Sequence, residues 1–374
     1  MQQTLSLYPH KDYLEQSQCF INTYDLIDVI IPGRTDLNVL KPKKERICRF
    51  CGKKYGDTQF KEKAHLISEM LGNKELLSDF ECDQCNHYFD KFEDQLSNFL
   101  GIYRTLSGTK GKEGIPGFTS PGKAIKAKGE IILDDETIII SRESIENGAI
   151  IVDPVRGLIN IKYKKNPFSP LMIYKAILKI ALSIINDNEI KSDYRLALDY
   201  LMGRDNIMFT GCLMNGYIFP FNYKSLLPYA YLFKKRDTNA MTHTHLIALY
   251  FQNLIFAFPV PLNKNDLFFY NKGEQLNFTL YPPFFPYENT GDLTLRGFQE
   301  IFSSEEKVRD YEDEIIIEID PEQLAQSGVF DSKNDHLFDS KFNPSEVVQI
   351  VIRHNNNPVN PRELVKALKQ YQKP

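Results

Sequence analysis

Two pairs of cysteines constrain this chain more than any other feature of its sequence. The first pair is Cys48 and Cys51, the second is Cys82 and Cys85, and 30 residues separate the two pairs. Each Cys-x2-Cys pair can bend back on a turn and offer both sulfurs to one point, so two pairs can surround one zinc ion tetrahedrally. The spacing therefore predicts a structural zinc site with four thiolate ligands. Reduced structural thiols are the alternative.

The residues between and after the cysteine pairs indicate a second function. His65 lies in an apolar, strand-like piece, Ala64-His65-Leu66-Ile67. After the second pair, Asn86, Asp90 and Asp94 recur every four residues, which places their side chains on one face of a predicted helix. Oxygen ligands of this kind suit magnesium or manganese better than zinc. The pattern predicts an imidazole opposite a divalent-metal site.

Residues 48–94, about one eighth of the chain, resemble an HNH endonuclease of the ββα-metal class, in the variety held together by a four-cysteine zinc. The resemblance implies that His65 activates water as the general base and that Asn86, the last letter of the motif, is also catalytic. It further implies a catalytic Mg²⁺ or Mn²⁺ held by Asn86 with Asp90 or Asp94. The matching positions are Cys48, Cys51, His65, Leu71-Gly72-Asn73, Cys82, Cys85, Asn86 and the helix Phe89 to Asp94.

Phosphodiester hydrolysis explains why these residue types are wanted. The substrate is protected by its own negative charge, so cleavage needs a cation at the developing charge and a base that titrates near neutral pH.

Two positions depart from the family pattern. Ala64 stands where many members have an acidic metal ligand, for which Glu62 is a possible substitute, and Asn73 either matches the middle Asn or only makes a turn with Gly72.

Composition limits the remaining possibilities. A chain of 374 residues exceeds one typical core, and its net charge of −4 excludes a uniformly basic nucleic-acid coat. Residues 41–63 nevertheless carry nine Lys or Arg against three acids, the local positive potential expected beside a phosphate-cleaving site.

Paired cysteines favour a reducing cytoplasm over a disulfide scaffold. No export leader and no apolar run of about 18 residues is visible, so we expect a cytoplasmic protein without a membrane span.

The rest of the sequence predicts an α+β fold. We expect an N-terminal region 1–106 whose zinc module has its core at 46–104, a Gly/Lys/Ser-rich linker at 107–125, and a mixed domain with antiparallel sheet at 126–374. Within that domain we predict a four-stranded meander over residues 130–164 and a helix over 169–186 with Lys175 and Lys179 on its solvated side. We interpret His243 and His245 as structural, since no third metal ligand is spaced nearby.

Two functions remain open from the sequence. The first is a metal-dependent endonuclease that cuts DNA, with RNA as the other possible substrate, and whose residues 126–374 regulate activity or recognise the target. HNH units often occur in anti-phage or mobile-element systems, so a regulatory ligand, a protein partner or a second copy of the chain would fit this reading. The alternative is a zinc-stabilised nucleic-acid-binding protein that does not cut.

Overall fold

A computed structural model describes most of the chain. The described residues form two compact units, Met1–Ser97 with Phe168–Lys307, and Asn98–Pro167 with Val308–Pro374. Each unit combines two separate stretches of sequence, a grouping that differs from the proposed division at 107–125; that division stays a prediction. The described ranges are 7–34, 40–111, 114–144, 148–153, 155–204, 209, 211–219, 225–271, 276–286, 293–318, 329–331, 336–338, 347–353 and 363–364.

The fold is mixed α+β with antiparallel sheets, as the sequence predicts. No helix in the described ranges is long and apolar enough to cross a membrane. The α-helices are α1 (Leu14–Thr23), α2 (Asp83–Leu100), α3 (Tyr103–Leu106), α4 (Pro170–Ile184), α5 (Asp187–Asp193), α6 (Arg195–Leu201) and α7 (Lys264–Asn271). The strands are β1 (Tyr8–Pro9), β2 (Tyr24–Ile30), β3 (Ala64–His65), β4 (Leu77–Ser78), β5 (Phe118–Thr119), β6 (Ile125–Ile132), β7 (Asp135–Arg142), β8 (Ile150–Asp153), β9 (Leu158–Lys164), β10 (Leu213–Ile218), β11 (Ser225–Lys235), β12 (His245–Gln252), β13 (Leu254–Pro259), β14 (Phe284–Phe285), β15 (Arg296–Ile301), β16 (Glu312–Glu318), β17 (Val329–Asp331), β18 (His336–Phe338) and β19 (Gln349–Arg353).

A six-stranded antiparallel sheet supports the first unit, in the order β15-β10-β13-β12-β11-β2. Its two middle strands, β12 and β13, are near-continuous apolar runs, and every residue in them is buried. Such runs are typical of strands covered on both faces. In the same unit β1 pairs with β14, and β3 pairs with β4.

The second unit contains two larger sheets, β19-β7-β6-β5 and β16-β9-β8, and the pair β17-β18. The predicted single meander is therefore wrong, because β7 and β8 belong to different sheets. Strand β7 pairs with β19 and strand β9 with β16, both from the C-terminal part of the chain. Local patterns do not reveal partners so distant in sequence. Within the predicted meander the Asn147-Gly148 pair favours a tight hairpin turn, and Asn147 lies outside the described residues.

Helix α4 lies where the sequence predicts a helix, but its polar side is not solvated. Tyr174 packs against Phe258 of β13, with ring centroids 5.4 Å apart. The ammonium groups of Lys175 and Lys179 lie over the rings of Phe92 and Phe89, respectively, on α2. Because α4 is covered on both sides, the prediction of a solvated lysine face is wrong.

Candidate active site and four-cysteine cluster

The four paired cysteines converge as predicted. Their sulfur atoms all lie within 4.8 Å of one another, and the Sγ atoms of Cys51 and Cys82 are 3.7 Å apart. Four Zn–S bonds of about 2.3 Å in a tetrahedron would give sulfur–sulfur edges of about 3.8 Å, whereas a disulfide bond is about 2.05 Å long. Among the described residues, this is the sole group of three or more His, Cys, Asp or Glu side chains whose ligand atoms all lie within 4.8 Å of one another. The cluster therefore fits a tetrahedral metal.

Local backbone structure brings each pair to the cluster. Cys48 accepts a hydrogen bond from the backbone N–H of Gly52 at 2.8 Å, and Gly52 has a φ of 76°, which favours glycine. This turn folds the first pair back on itself. The second pair opens α2, because Cys82 accepts the backbone N–H of Asn86 at 2.9 Å and Cys85 lies in the first helical turn.

Without a cation between them, the thiols of Cys48, Cys51 and Cys85 oppose one another's ionisation. A hydrogen bond from Cys85 lowers the pKa of Cys48 to about 5. Burial raises the pKa of Cys51 to about 11, and the pKa of Cys85 is raised by its bond to Cys48. A negative charge on one sulfur thus disfavours the ionisation of a neighbouring thiol. A divalent ion would offset this repulsion. The four cysteine ligands therefore suit the tetrahedral metal ion that their geometry indicates.

Arg49, inside the first cysteine pair, is an internal anchor. Its Nη1 lies 2.8 Å from Leu182 O and 2.9 Å from both Ser183 O and Ile185 O, at the C-terminal end of α4. The guanidinium lies 3.7 Å from the ring centroid of Phe80, and the side chain is only 6% exposed. Arg49 therefore cannot belong to a phosphate-binding patch. The exposed cations of the stretch are Lys41, Lys43, Lys44, Lys53, Lys54, Lys61 and Lys63.

His65 lies on β3, opposite Leu77 of β4. The buried side chain of Asn73 holds the loop between these strands: it donates to Ile67 O at 2.6 Å and Leu76 O at 3.0 Å, and accepts the backbone N–H of Leu76 at 2.9 Å. Its amide nitrogen is also 3.5 Å from Nδ1 of His65. The two shorter bonds use both amide hydrogens, so the ring contact is a weak one. Asn73 fastens the loop and borders the ring.

An acidic side chain lies at the other ring nitrogen of His65. Nε2 is 3.7 Å from Oε2 of Glu69, and the other carboxylate oxygen of Glu69 is 2.9 Å from Nζ of Lys74. The carboxylate faces this ring nitrogen at a distance that is long for a hydrogen bond. Sequence reasoning missed Glu69, although its position four residues after His65 was visible.

A second polar group surrounds the start of α2. The amide of Asn86 donates to Oε2 of Glu62 at 2.9 Å, and Oε1 of Glu62 is 3.1 Å from Nε2 of His87. Nδ1 of His87 is 3.4 Å from Asp90. Asp83 accepts the backbone N–H of Glu62 at 3.1 Å and so fixes this chain segment against the helix. Oxygen atoms suited to bind a metal ion thus lie together at the N-terminal end of α2.

Residues 48–100 match the model of the HNH endonuclease family. No curated protein and no solved structure matches the chain. The HNH segment covers the four cysteines, His65 and the whole of α2, so the family expected from the sequence is confirmed for this part of the chain.

The structure groups the predicted site residues of the HNH segment in two sets. His65 contacts Glu69 and Asn73, and Asn86 contacts Glu62. Asp90 lies exposed beside His87, and Asp94 lies exposed one turn further along α2. His87 was missed, although it directly follows Asn86 and precedes Asp90 by three residues. The catalytic role of His65 and Asn86 and the metal role of Asn86, Asp90 and Asp94 stay predictions.

The His243 and His245 pair has no described metal ligand set around it. His245 is buried, with Nδ1 2.7 Å from the hydroxyl of Tyr194 and Nε2 2.9 Å from Glu189. Lys234 lies 2.6 Å from the same carboxylate. These hydrogen bonds and charges connect α5 and α6 to the large sheet, which agrees with a structural role.

Proposed function

We propose that the HNH segment hydrolyses phosphodiester bonds in DNA, with His65 as the general base. The observation that carries the proposal is the placement of His65 inside the matched segment, on a strand fastened by Asn73 and beside the carboxylate of Glu69. A nucleic acid is the substrate class that the family implies. The exposed lysines that flank the first cysteine pair supply positive potential for a phosphate backbone.

In this proposal the imidazole of His65 takes a proton from a water molecule as that water attacks the phosphorus in line. The carboxylate of Glu69 favours the imidazolium that results, and Asn73 keeps the strand in place. The reaction would leave a 5′-phosphate and a 3′-hydroxyl, as the family resemblance implies. No covalent intermediate is needed.

Oxygen donors at the start of α2 suit a catalytic Mg²⁺ or Mn²⁺. Asn86 and Asp90 belong to the set expected from the sequence, and Glu62, which touches Asn86, replaces the acid missing at Ala64. Asp94 is the further candidate on the same helix face. Such an ion would stabilise the charge on the scissile phosphate and on the leaving oxygen. For the four-cysteine cluster we propose structural zinc, which thiolate ligands favour.

The test uses the full chain, supercoiled plasmid and Mg²⁺ or Mn²⁺. We expect the wild type to produce nicked or linear DNA, and His65→Ala to reduce that activity at least 10³-fold, because removal of the base leaves the water unactivated. Zinc content and thermal stability should match the wild type. Retained metal-dependent nicking by the variant would remove His65 from the mechanism.

One observation favours a second candidate, a zinc-stabilised nucleic-acid-binding protein that does not cut. Ala64 is 2% exposed and carries no ligand atom at a position where many family members have an acid. The same plasmid experiment separates the candidates. A mobility shift with plasmid or RNA, without any cleavage product in either metal, would support binding alone.

We further propose that the unit Asn98–Pro167 with Val308–Pro374 regulates the HNH segment or selects its target. A role in anti-phage defence or in a mobile element would fit such an arrangement. Purified protein that is inert on DNA until cell extract or a nucleotide is added would support regulation. Full activity of the purified chain alone would argue against it.

A further inference from the structure

Lys179 belongs to α4, outside the HNH segment, but its ammonium group contacts residues of that segment. Nζ is 2.9 Å from Oε2 of Glu81 and donates a hydrogen bond to the backbone carbonyl of His65 at 2.9 Å. It also lies 5.7 Å from the ring centroid of Phe89 on α2. The side chains of Lys179 and Glu81 are 5% and 0% exposed. One ammonium therefore contacts the strand of His65, the approach to the second cysteine pair, and the helix that follows.

Packing alone does not explain this ion pair. Taking two charges out of water carries a desolvation cost, and two apolar side chains of similar volume can fill such a space with equal or greater stability. The ammonium differs from an apolar group in one respect: it has three directed hydrogens. One nitrogen can therefore pair with the carboxylate of Glu81 and at the same time donate a hydrogen bond to the carbonyl of His65.

The backbone at His65 needs such support, because β3 contains only Ala64 and His65. Asn73 fastens the loop that follows the strand, through Ile67 O and Leu76 O. Lys179 holds the carbonyl of His65 itself. The orientation of a side chain follows from its backbone, and a displacement of about 1 Å at a catalytic group can reduce turnover about 100-fold.

We propose that Lys179 is a positioning residue for His65, with Glu81 as the counter-charge that keeps its ammonium in place. The inference rests on the proposed function of His65 as the general base. It extends the catalytic unit beyond residues 48–100, since a helix more than a hundred positions later in the chain supplies the contact.

The decisive variant is the double substitution Lys179→Met with Glu81→Met in the full chain. It removes both charges and keeps two unbranched side chains of similar size, so no buried charge is left alone. We expect wild-type zinc content, a thermal midpoint within a few degrees of the wild type, a kcat for plasmid nicking reduced about 30- to 100-fold, and a KM changed less than threefold. Lys175→Met is the matched control, since the ammonium of Lys175 lies over Tyr200 and Phe92 on the same helix. We expect its kcat within twofold of the wild type.

A second readout does not depend on cleavage. Carbethoxylation of individual histidines, followed by peptide mass spectrometry, should show His65 reacting at least threefold faster in the double variant, because its ring is less firmly held. The exposed ring of His87 should react at an unchanged rate. If the wild type does not cut DNA, the proposed function fails and the rate at His65 still tests the positioning.

Three results would overturn the positioning role. The first is a double variant with wild-type kcat, and the second is an unchanged reaction rate at His65. The third is a slow variant that has also lost zinc, because the effect would then arise at the cysteine cluster. Wild-type cleavage combined with any of these results rejects the inference and retains the proposed function.

Discussion

Replacing Arg49 by Met tests whether the first cysteine pair is tied to α4 as strongly as the structure indicates. The guanidinium faces three carbonyl oxygens at the C-terminal end of that helix, where backbone acceptors lack helical partners and the helix dipole favours a cation. Burial lowers the pKa of Arg49 to about 10, so the group stays charged at neutral pH. Methionine fills much of the same volume and makes none of these bonds.

The stability lost in Arg49→Met can be worked out from the contacts of the guanidinium. Nη1 carries two hydrogens, so it can make two full hydrogen bonds among the three carbonyls, each contributing about 1.5–3 kcal/mol as a charge-assisted bond. Stacking on Phe80 adds about 1 kcal/mol, and the desolvation of the cation, which methionine avoids, offsets part of the sum. We expect a net loss of about 3–4 kcal/mol in the free energy of unfolding. For a unit of this size, that loss lowers the thermal midpoint by about 6–16 °C.

The assay is thermal unfolding followed by far-UV circular dichroism, with zinc in slight excess for both proteins. Arg46→Met is the matched control: Arg46 lies three residues earlier and makes one exposed hydrogen bond to Lys41 O at 2.9 Å. Its loss should stay below about 1 kcal/mol. If Arg49→Met also lost less than about 1 kcal/mol, the anchoring role argued from these contacts would be refuted.

Two further predictions concern buried polar groups. Asn73→Ala should lower the free energy of unfolding by about 2–4 kcal/mol and slow plasmid nicking, because it leaves Leu76 N and Ile67 O without their partner and removes one of the two donors to Leu76 O; a thermal midpoint within about 2 °C of the wild type would contradict this. Hydrogen bonding from His245, then from Lys234, lowers the pKa of Glu189 from 4.5 to about 2. This depressed pKa stabilises the fold above about pH 4.5, and the contribution is lost as the pH falls toward 2. One fifth of that side chain is exposed, so screening leaves about 1–2 kcal/mol, which urea titrations of Glu189→Gln should show as a deficit at pH 7 that falls to less than half at pH 3.

The cysteine cluster could be predicted from sequence because its geometry is local. Two residues between the ligands of each pair fix a turn, and the chemistry of thiolates limits what four of them can bind. Asn73 was harder to assign, since eight residues after His65 the sequence is compatible with a turn residue as well as with a motif residue. Its four close backbone contacts, which depend on the path of the loop, show that it fastens the loop, and its place in the motif stays a prediction.

The pairing of strands could not be predicted in the same way. An apolar, alternating segment such as Leu158 to Lys164 reveals that a strand exists, and the structure has β9 at those bounds. Its partner β16 follows some 150 residues later and is paired through Ile315 and Ile317. A hydrophobic pattern fixes which face is buried, but many other strands of the chain would satisfy the same pattern.

The burial of Lys179 in the candidate site could not be predicted from the sequence either. A lysine on the polar side of an amphipathic helix is usually solvated, and nothing near Lys179 in the sequence distinguishes it from Lys175. The difference arises from Glu81, which lies next to Cys82 and is buried with it. A buried carboxylate beside the cysteine cluster needs a counter-charge, and Lys179 of α4 supplies it while donating to the carbonyl of His65. The burial of Glu81 therefore creates the requirement that Lys179 meets, which is why the residue can be identified only from the folded chain.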